Sequence, residues 1–194
     1  YRLPSLGAVV AEVLEQVGEG GPVHLLGHSF GGLVCREAAL TATAPPASLT
    51  LMCSGPGALS GPGAGTAGNL IAAVSMNPTA ERLRQLWEEQ FDAVARSRTT
   101  RPEIHDFLRR RLLSSSAVGL MHMAEELVSA PDRVDELARV DMPTLVLYGE
   151  NDDAWSPREQ DRMAERLGAR RLVVPGAGHS PNVEAPETTA SALT

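Results

Sequence analysis

The sequence contains no lysine: all 17 basic residues are arginine, against 24 acidic ones, for a formal charge of −7. That balance argues against nucleic acid as a partner, because a binding face must offset phosphate charge with clustered Arg or Lys. The densest basic run, Arg109-Arg110-Arg111, lies in a segment of helical periodicity with acids nearby and reads as a solvated helix face. The missing lysine itself reads as compositional bias of the coding sequence. Cysteine is scarce too, with only Cys35 and Cys53. Two cysteines in apolar surroundings make no disulfide framework and behave as small buried hydrophobes. No Cys/His spacing of the zinc type occurs, so neither a metal nor an organic cofactor is expected. Long apolar runs are also missing, none reaching the roughly 18 to 20 residues of a bilayer span. With neither a membrane span nor a signal peptide to read, a cytoplasmic setting is expected.

What is present is an ordinary globular composition. The 194 residues are 43% hydrophobic and 21% charged, enough for one domain with a real core. Residues 6–17 place Leu6, Val9, Val10, Val13, Leu14 and Val17 at helical spacing. Short apolar runs at 23–27, 48–53, 144–149 and 171–174 read as strands, the first two as strands buried in a parallel sheet. Helices are expected over 30–42 and 157–167, and strands alternating with helices imply parallel pairing. Residues 54–68, rich in Gly, Pro, Ala and Ser, suit no regular element. Charged helical segments follow at 81–96, 103–113 and 117–128, and the gap between the second and third strands far exceeds one crossover helix. The expected organisation is therefore a core of 1–56 and 138–194 with a helical cap inserted over 57–137.

Gly27-His28-Ser29-Phe30-Gly31 fits G-x-S-x-G between a strand and a helix, where such a motif makes a sharp turn that lifts the serine hydroxyl above the sheet. Small residues on either side leave room for that turn. The helix start then points N–H groups at any oxyanion formed beside Ser29, the Phe30 N–H foremost. The competing reading is a plain tight turn with Ser29 as helix N-cap.

A serine hydroxyl needs a base, and the base an orienting group. His179 is the candidate base, because Gly176-Ala177-Gly178-His179 follows the fourth strand at the sheet edge where sites form. Asp152 is the candidate acid, in the loop after the third strand, with Asp153 its rival. An exposed turn that caps the helix at Pro157 is the alternative for both carboxylates. His28 suits packing or support beside the nucleophile, and Met121 and Trp155 are further candidates for pocket lining or support.

These motifs resemble the α/β-hydrolase superfamily, in its capped serine esterase and carbon-carbon-bond hydrolase branch. The likeness rests on Gly27-His28-Ser29-Phe30-Gly31-Gly32, on the run from Pro143 through Tyr148-Gly149-Glu150-Asn151-Asp152, and on Gly176-Ala177-Gly178-His179 followed by Glu184, Pro186 and Glu187. The resemblance implies an eight-stranded sheet, of which four strands are readable. The chain is accordingly expected to be the C-terminal part of such a sheet, without the N-terminal part that carries a second oxyanion donor. It implies a serine hydrolase that cleaves a small ester-like substrate by acyl transfer. The alternatives are a diketone carbon-carbon hydrolase, a cofactor-free oxidase, or a non-catalytic binding protein on the same scaffold. Dehalogenase and epoxide-hydrolase chemistry is disfavoured, since the corresponding families place Asp where Ser29 stands.

Overall fold

The computed structural model describes residues 1–98 and 101–193, and the chain divides into two compact units, 1–65 with 126–194, and 66–125. The first unit holds a four-stranded, fully parallel sheet in the order β1-β2-β3-β4, formed by His24–His28, Ser48–Met52, Thr144–Gly149 and Arg170–Val174. The α/β class with four strands agrees with the sequence. Leu49, Leu51, Val146, Leu147 and Val174 are buried in a single cluster with Met163 and Ala164. Around the sheet lie α1 (Leu3–Gly18) and α2 (Phe30–Thr41).

Two details of this unit differ from expectation, each for a packing reason. Helix α1 buries Leu3, Gly7, Ala11 and Leu14 and leaves Val9, Val13 and Val17 exposed. Small residues decide this, since a Cβ on Gly7 would come within 2.4 Å of the Glu37 Cβ, so the glycine lets α1 approach α2. Strand β1 pairs only with β2 among the described strands, and Leu26 is 41% exposed instead of buried in the sheet. On β1, His24 is exposed and meets the Ser48 hydroxyl at 2.8 Å.

The glycine-rich stretch contains a helix that its composition does not announce, α3 (Gly61–Val74). Glycine costs a helix about 1 kcal/mol per residue relative to alanine. Packing overrides that penalty where Leu70, Ala73 and Val74 join Leu83, Leu86, Ala117 and Leu120 in one apolar cluster of the second unit. That unit is otherwise built from α4 (Ala80–Leu86), a π-helical turn (Trp87–Phe91), α5 (Asp92–Arg98), α6 (Pro102–Leu113) and the start of α7 (Ala117–Ser129). His105 is part-buried there, bonded to Asp92 at 2.7 Å with its ring 5.4 Å from that of Trp87.

Short α8 (Val134–Leu137) precedes β3. Helix α9 (Pro157–Leu167) follows it, with a capping box between Ser156 and Glu159 and a left-handed Gly168 at its end. After β4 come α10 (Pro181–Glu184) and α11 (Pro186–Leu193). No helix among the described residues is long and apolar enough to cross a membrane.

Candidate active site

Ser29 occupies the single-residue junction between β1 and α2, with φ 55° and ψ −125°. An L-residue adopts that conformation only where its surroundings over-determine it. They do so here: the Ser29 N–H donates to Met52 O at 2.9 Å, which ties the turn to β2. A Cβ on Gly27 would sit 2.4 Å from Gly31 O, and one on Gly32 would sit 2.3 Å from the Ser54 Oγ. Gly31, by contrast, has open space around it. Room for the turn thus comes from Gly27 and Gly32. Phe30 opens α2, so its N–H is among the helix-initiating donors that have no acceptor within the helix.

His179 follows β4 and stands between the other two candidates. Its Nε2 lies 2.9 Å from Ser29 Oγ, and its Nδ1 lies 2.9 Å from Asp152 Oδ1. The Ser29 hydroxyl can donate to Nε2 while Nδ1–H donates to the carboxylate, which fixes one neutral tautomer. Asp152 is buried and Asp153 exposed, so the carboxylate that turns inward is Asp152. Burial alone would push the Asp152 carboxyl up. The His179 hydrogen bond and charge, with donors at Ala154 N–H and Gln160, outweigh it and hold the carboxyl below the usual range.

Gln160 was not read from the sequence, whereas Glu150 was expected to support the acid loop and Glu184 belongs to the motif that carries His179. Gln160, on α9 and fully buried, donates from Nε2 to Asp152 Oδ2 and to Trp155 O, each at 2.9 Å. A polar residue in register with Met163 and Ala164 on the apolar face of α9 is the signal that could have found it. Glu184 accepts from Gly178 N–H at 2.5 Å and from Ser180 N–H at 2.9 Å. Glu150 accepts from Gly176 N–H at 2.8 Å. Two carboxylates therefore hold the backbone that presents His179.

The remaining candidates fall in different places. His28 Nε2 donates to His179 O at 2.7 Å, and the two rings lie 5.1 Å apart. Trp155 is 1% exposed, packs with Leu3, Leu33 and Ala130, and donates its indole N–H to Gly57 O at 3.1 Å. It is a core residue that braces the Asp152 loop through Gln160. Met121 packs within the second unit against the cluster of Val74, Leu83 and Leu86. Cys53 is fully buried after β2, at φ 47°, with Sγ 3.9 Å from Gly178 O. Burial, together with the Asp152 charge, pushes its thiol far up.

Comparison with known proteins matches the chain to one family. A hydrolase from Pseudomonas aeruginosa PA01 superposes with a TM-score of 0.76 at 28% identity, over 100% of this chain and 71% of that one. A thermophilic esterase from Thermogutta terrifontis, solved with malate bound, gives 0.75 at 27% identity with the same coverage. A curated relative, the 2-succinyl-6-hydroxy-2,4-cyclohexadiene-1-carboxylate synthase of Enterobacter sp. (strain 638), is 35% identical over 80 residues, 41% of this chain. That match spans 29% of the relative's own length. The profile of the alpha/beta hydrolase family matches residues 1–192, and the chain belongs to that family.

Proposed function

We propose that the protein is a serine hydrolase that cleaves a small ester-like substrate by acyl transfer through Ser29, His179 and Asp152. The observation that carries this reading is the pair of 2.9 Å contacts from the two nitrogens of one imidazole, to Ser29 Oγ and to Asp152 Oδ1. In the first step His179 Nε2 takes the Ser29 proton as Oγ attacks the substrate carbonyl. The resulting oxyanion is met by the Phe30 N–H at the positive end of α2. His179 then gives its proton to the leaving group. Water, deprotonated by the same nitrogen, releases the acyl group and regenerates Ser29. Asp152 holds the tautomer throughout and stabilises the imidazolium. No cofactor takes part in these steps. The inserted helical segment 57–137, with Met121 in it, is assigned the choice of substrate.

A second reading keeps the same three residues and cleaves a carbon-carbon bond of a diketone. A fluorophosphonate probe and a panel of p-nitrophenyl esters and diketones separate the possibilities. The proposal expects labelling that Ser29→Ala abolishes, together with ester turnover. A folded protein that stays unlabelled, or labels equally after Ser29→Ala, overturns it. Diketone cleavage without ester turnover favours the second reading.

A further inference from the structure

His28, Cys53 and His179 come from three segments that the sheet brings together. His28 closes β1 opposite Met52 of β2, Cys53 is the next residue beyond that partner, and His179 follows β4. One ligand atom from each, a ring nitrogen from the histidines and the sulfur of Cys53, lies within 4.8 Å of the other two. We propose that these residues form a binding site for a thiophilic divalent cation of the zinc or cadmium type, and that occupancy switches the protein off.

The donor set argues for this class of ion. One thiolate and two imidazoles suit zinc and its heavier congener, whereas hard cations such as magnesium and calcium select oxygen. Three protein ligands leave a fourth tetrahedral position for water. With metal–sulfur bonds of about 2.3 Å and metal–nitrogen bonds of about 2.0 Å, tetrahedral ligands stand about 3.5 Å apart. Closing the cluster onto an ion therefore needs at most about 1.5 Å of side-chain movement. As the metal–sulfur bond forms, the thiol proton leaves to solvent and no oxidation state changes. The ion replaces that proton on a sulfur that is fully buried.

Inhibition follows from the geometry. Both nitrogens of His179 are engaged, one with Ser29 and one with Asp152, each at 2.9 Å. Whichever nitrogen the ion takes, one of those contacts is lost. The inhibitory half of the proposal rests on the acyl-transfer reading, and the binding half does not.

The test is a titration of the protein with cadmium chloride in chelator-free buffer. It follows the ultraviolet thiolate-to-cadmium charge-transfer band and, in parallel, p-nitrophenyl ester hydrolysis. The band should saturate, vanish on adding EDTA, persist in Cys35→Ser and be absent in Cys53→Ser. His28→Gln should weaken cadmium binding by roughly tenfold or more, as expected when one ligand of three is lost. Hydrolysis should fall in step with the band and return with EDTA. A folded wild-type protein without the band, a band that survives Cys53→Ser, or unchanged affinity in His28→Gln overturns the site. A saturable band with undiminished hydrolysis overturns the inhibition. The expected band in a protein with no metal-free hydrolysis supports the site and counts against the acyl-transfer reading.

Discussion

The Glu184 carboxylate grips the backbone on both sides of His179, one oxygen on Gly178 N–H at 2.5 Å and the other on Ser180 N–H at 2.9 Å. A loop of this kind has no ladder of its own to hold it, so these bonds act with the His28 contact, the Glu150 bond to Gly176 N–H and the Asn151 N–H on Ala177 O to set where the imidazole sits. Misplacing a catalytic group by about 1 Å can lose on the order of 100-fold in rate. Glu184→Ala should therefore lower kcat by roughly 10- to 100-fold with KM little changed. Glu184→Gln should recover part of the loss, because its amide oxygen still accepts one N–H. Steady-state kinetics with a melting curve for each variant check this. An unchanged kcat, or a loss matched by unfolding, would show that Glu184 does not position His179.

Asp152 carries a prediction for rate and another for pH. Asp152→Asn keeps the shape but offers an amide where Nδ1–H needs an acceptor, so kcat should fall by on the order of 10⁴-fold. The carboxyl's folded pKa lies below its ordinary value, so its ionised form adds stability above the unfolded pKa of about 3.9. That contribution disappears as the pH falls through the lower folded value. Urea denaturation near pH 7 and near pH 3 should show wild type losing ground relative to Asp152→Asn in acid. A stability difference independent of pH would contradict the assignment.

Much of this site is legible in the chain because its chemistry sits on local signals. Ser29 directly follows β1 between Gly27 and Gly31, His179 comes after Gly176 and Gly178 in the loop beyond β4, and the strands are short runs of apolar residues suited to parallel pairing. Asp152 and Asp153 are equivalent in sequence and differ only in which side chain turns inward, a choice made by Gln160 and Ala154. What the chain hides is set by packing between distant residues. The buried stripe of α1 follows Gly7 and Ala11 rather than its valines, because close approach to α2 outweighs side-chain size. Helix α3 forms through a glycine-rich stretch because its apolar end has a cluster to join. The buried pair Arg36 and Glu37, 2% and 3% exposed, reads as surface charge until Arg133 and Pro56 O are brought to it.

Gln160 links the carboxylate to the core. Its Oε1 is buried and has no hydrogen-bond partner among the described residues, while Nε2 serves both Asp152 and Trp155 O. Replacing it with leucine removes the orphan acceptor but leaves the Asp152 charge one donor short. A hydrogen bond to a charged group contributes about 1.5–3 kcal/mol. Gln160→Leu should therefore lower unfolding free energy by about 1–3 kcal/mol, the loss being offset by the better-packed apolar chain. Chemical denaturation at neutral pH measures it, and an unchanged midpoint would mean that Asp152 is adequately held by His179 and Ala154 alone.

Two glycines of one motif should respond in opposite ways. A Cβ on Gly27 would lie 2.4 Å from Gly31 O and 2.6 Å from the Gly32 Cα, and both obstacles are backbone. No rotamer relieves such a contact, so Gly27→Ala must open the turn that holds Ser29 at φ 55°. The substitution should destabilise by about 3 kcal/mol or more and abolish fluorophosphonate labelling. Gly31 lies in the first turn of α2 with open space where a Cβ would go. Alanine there restricts the unfolded chain without strain, so Gly31→Ala should stabilise by roughly 0.4–1 kcal/mol. Thermal melting of the two variants beside wild type decides the matter. If both lowered the melting temperature equally, the motif's glycines would be interchangeable and the asymmetric turn described for Ser29 would be wrong.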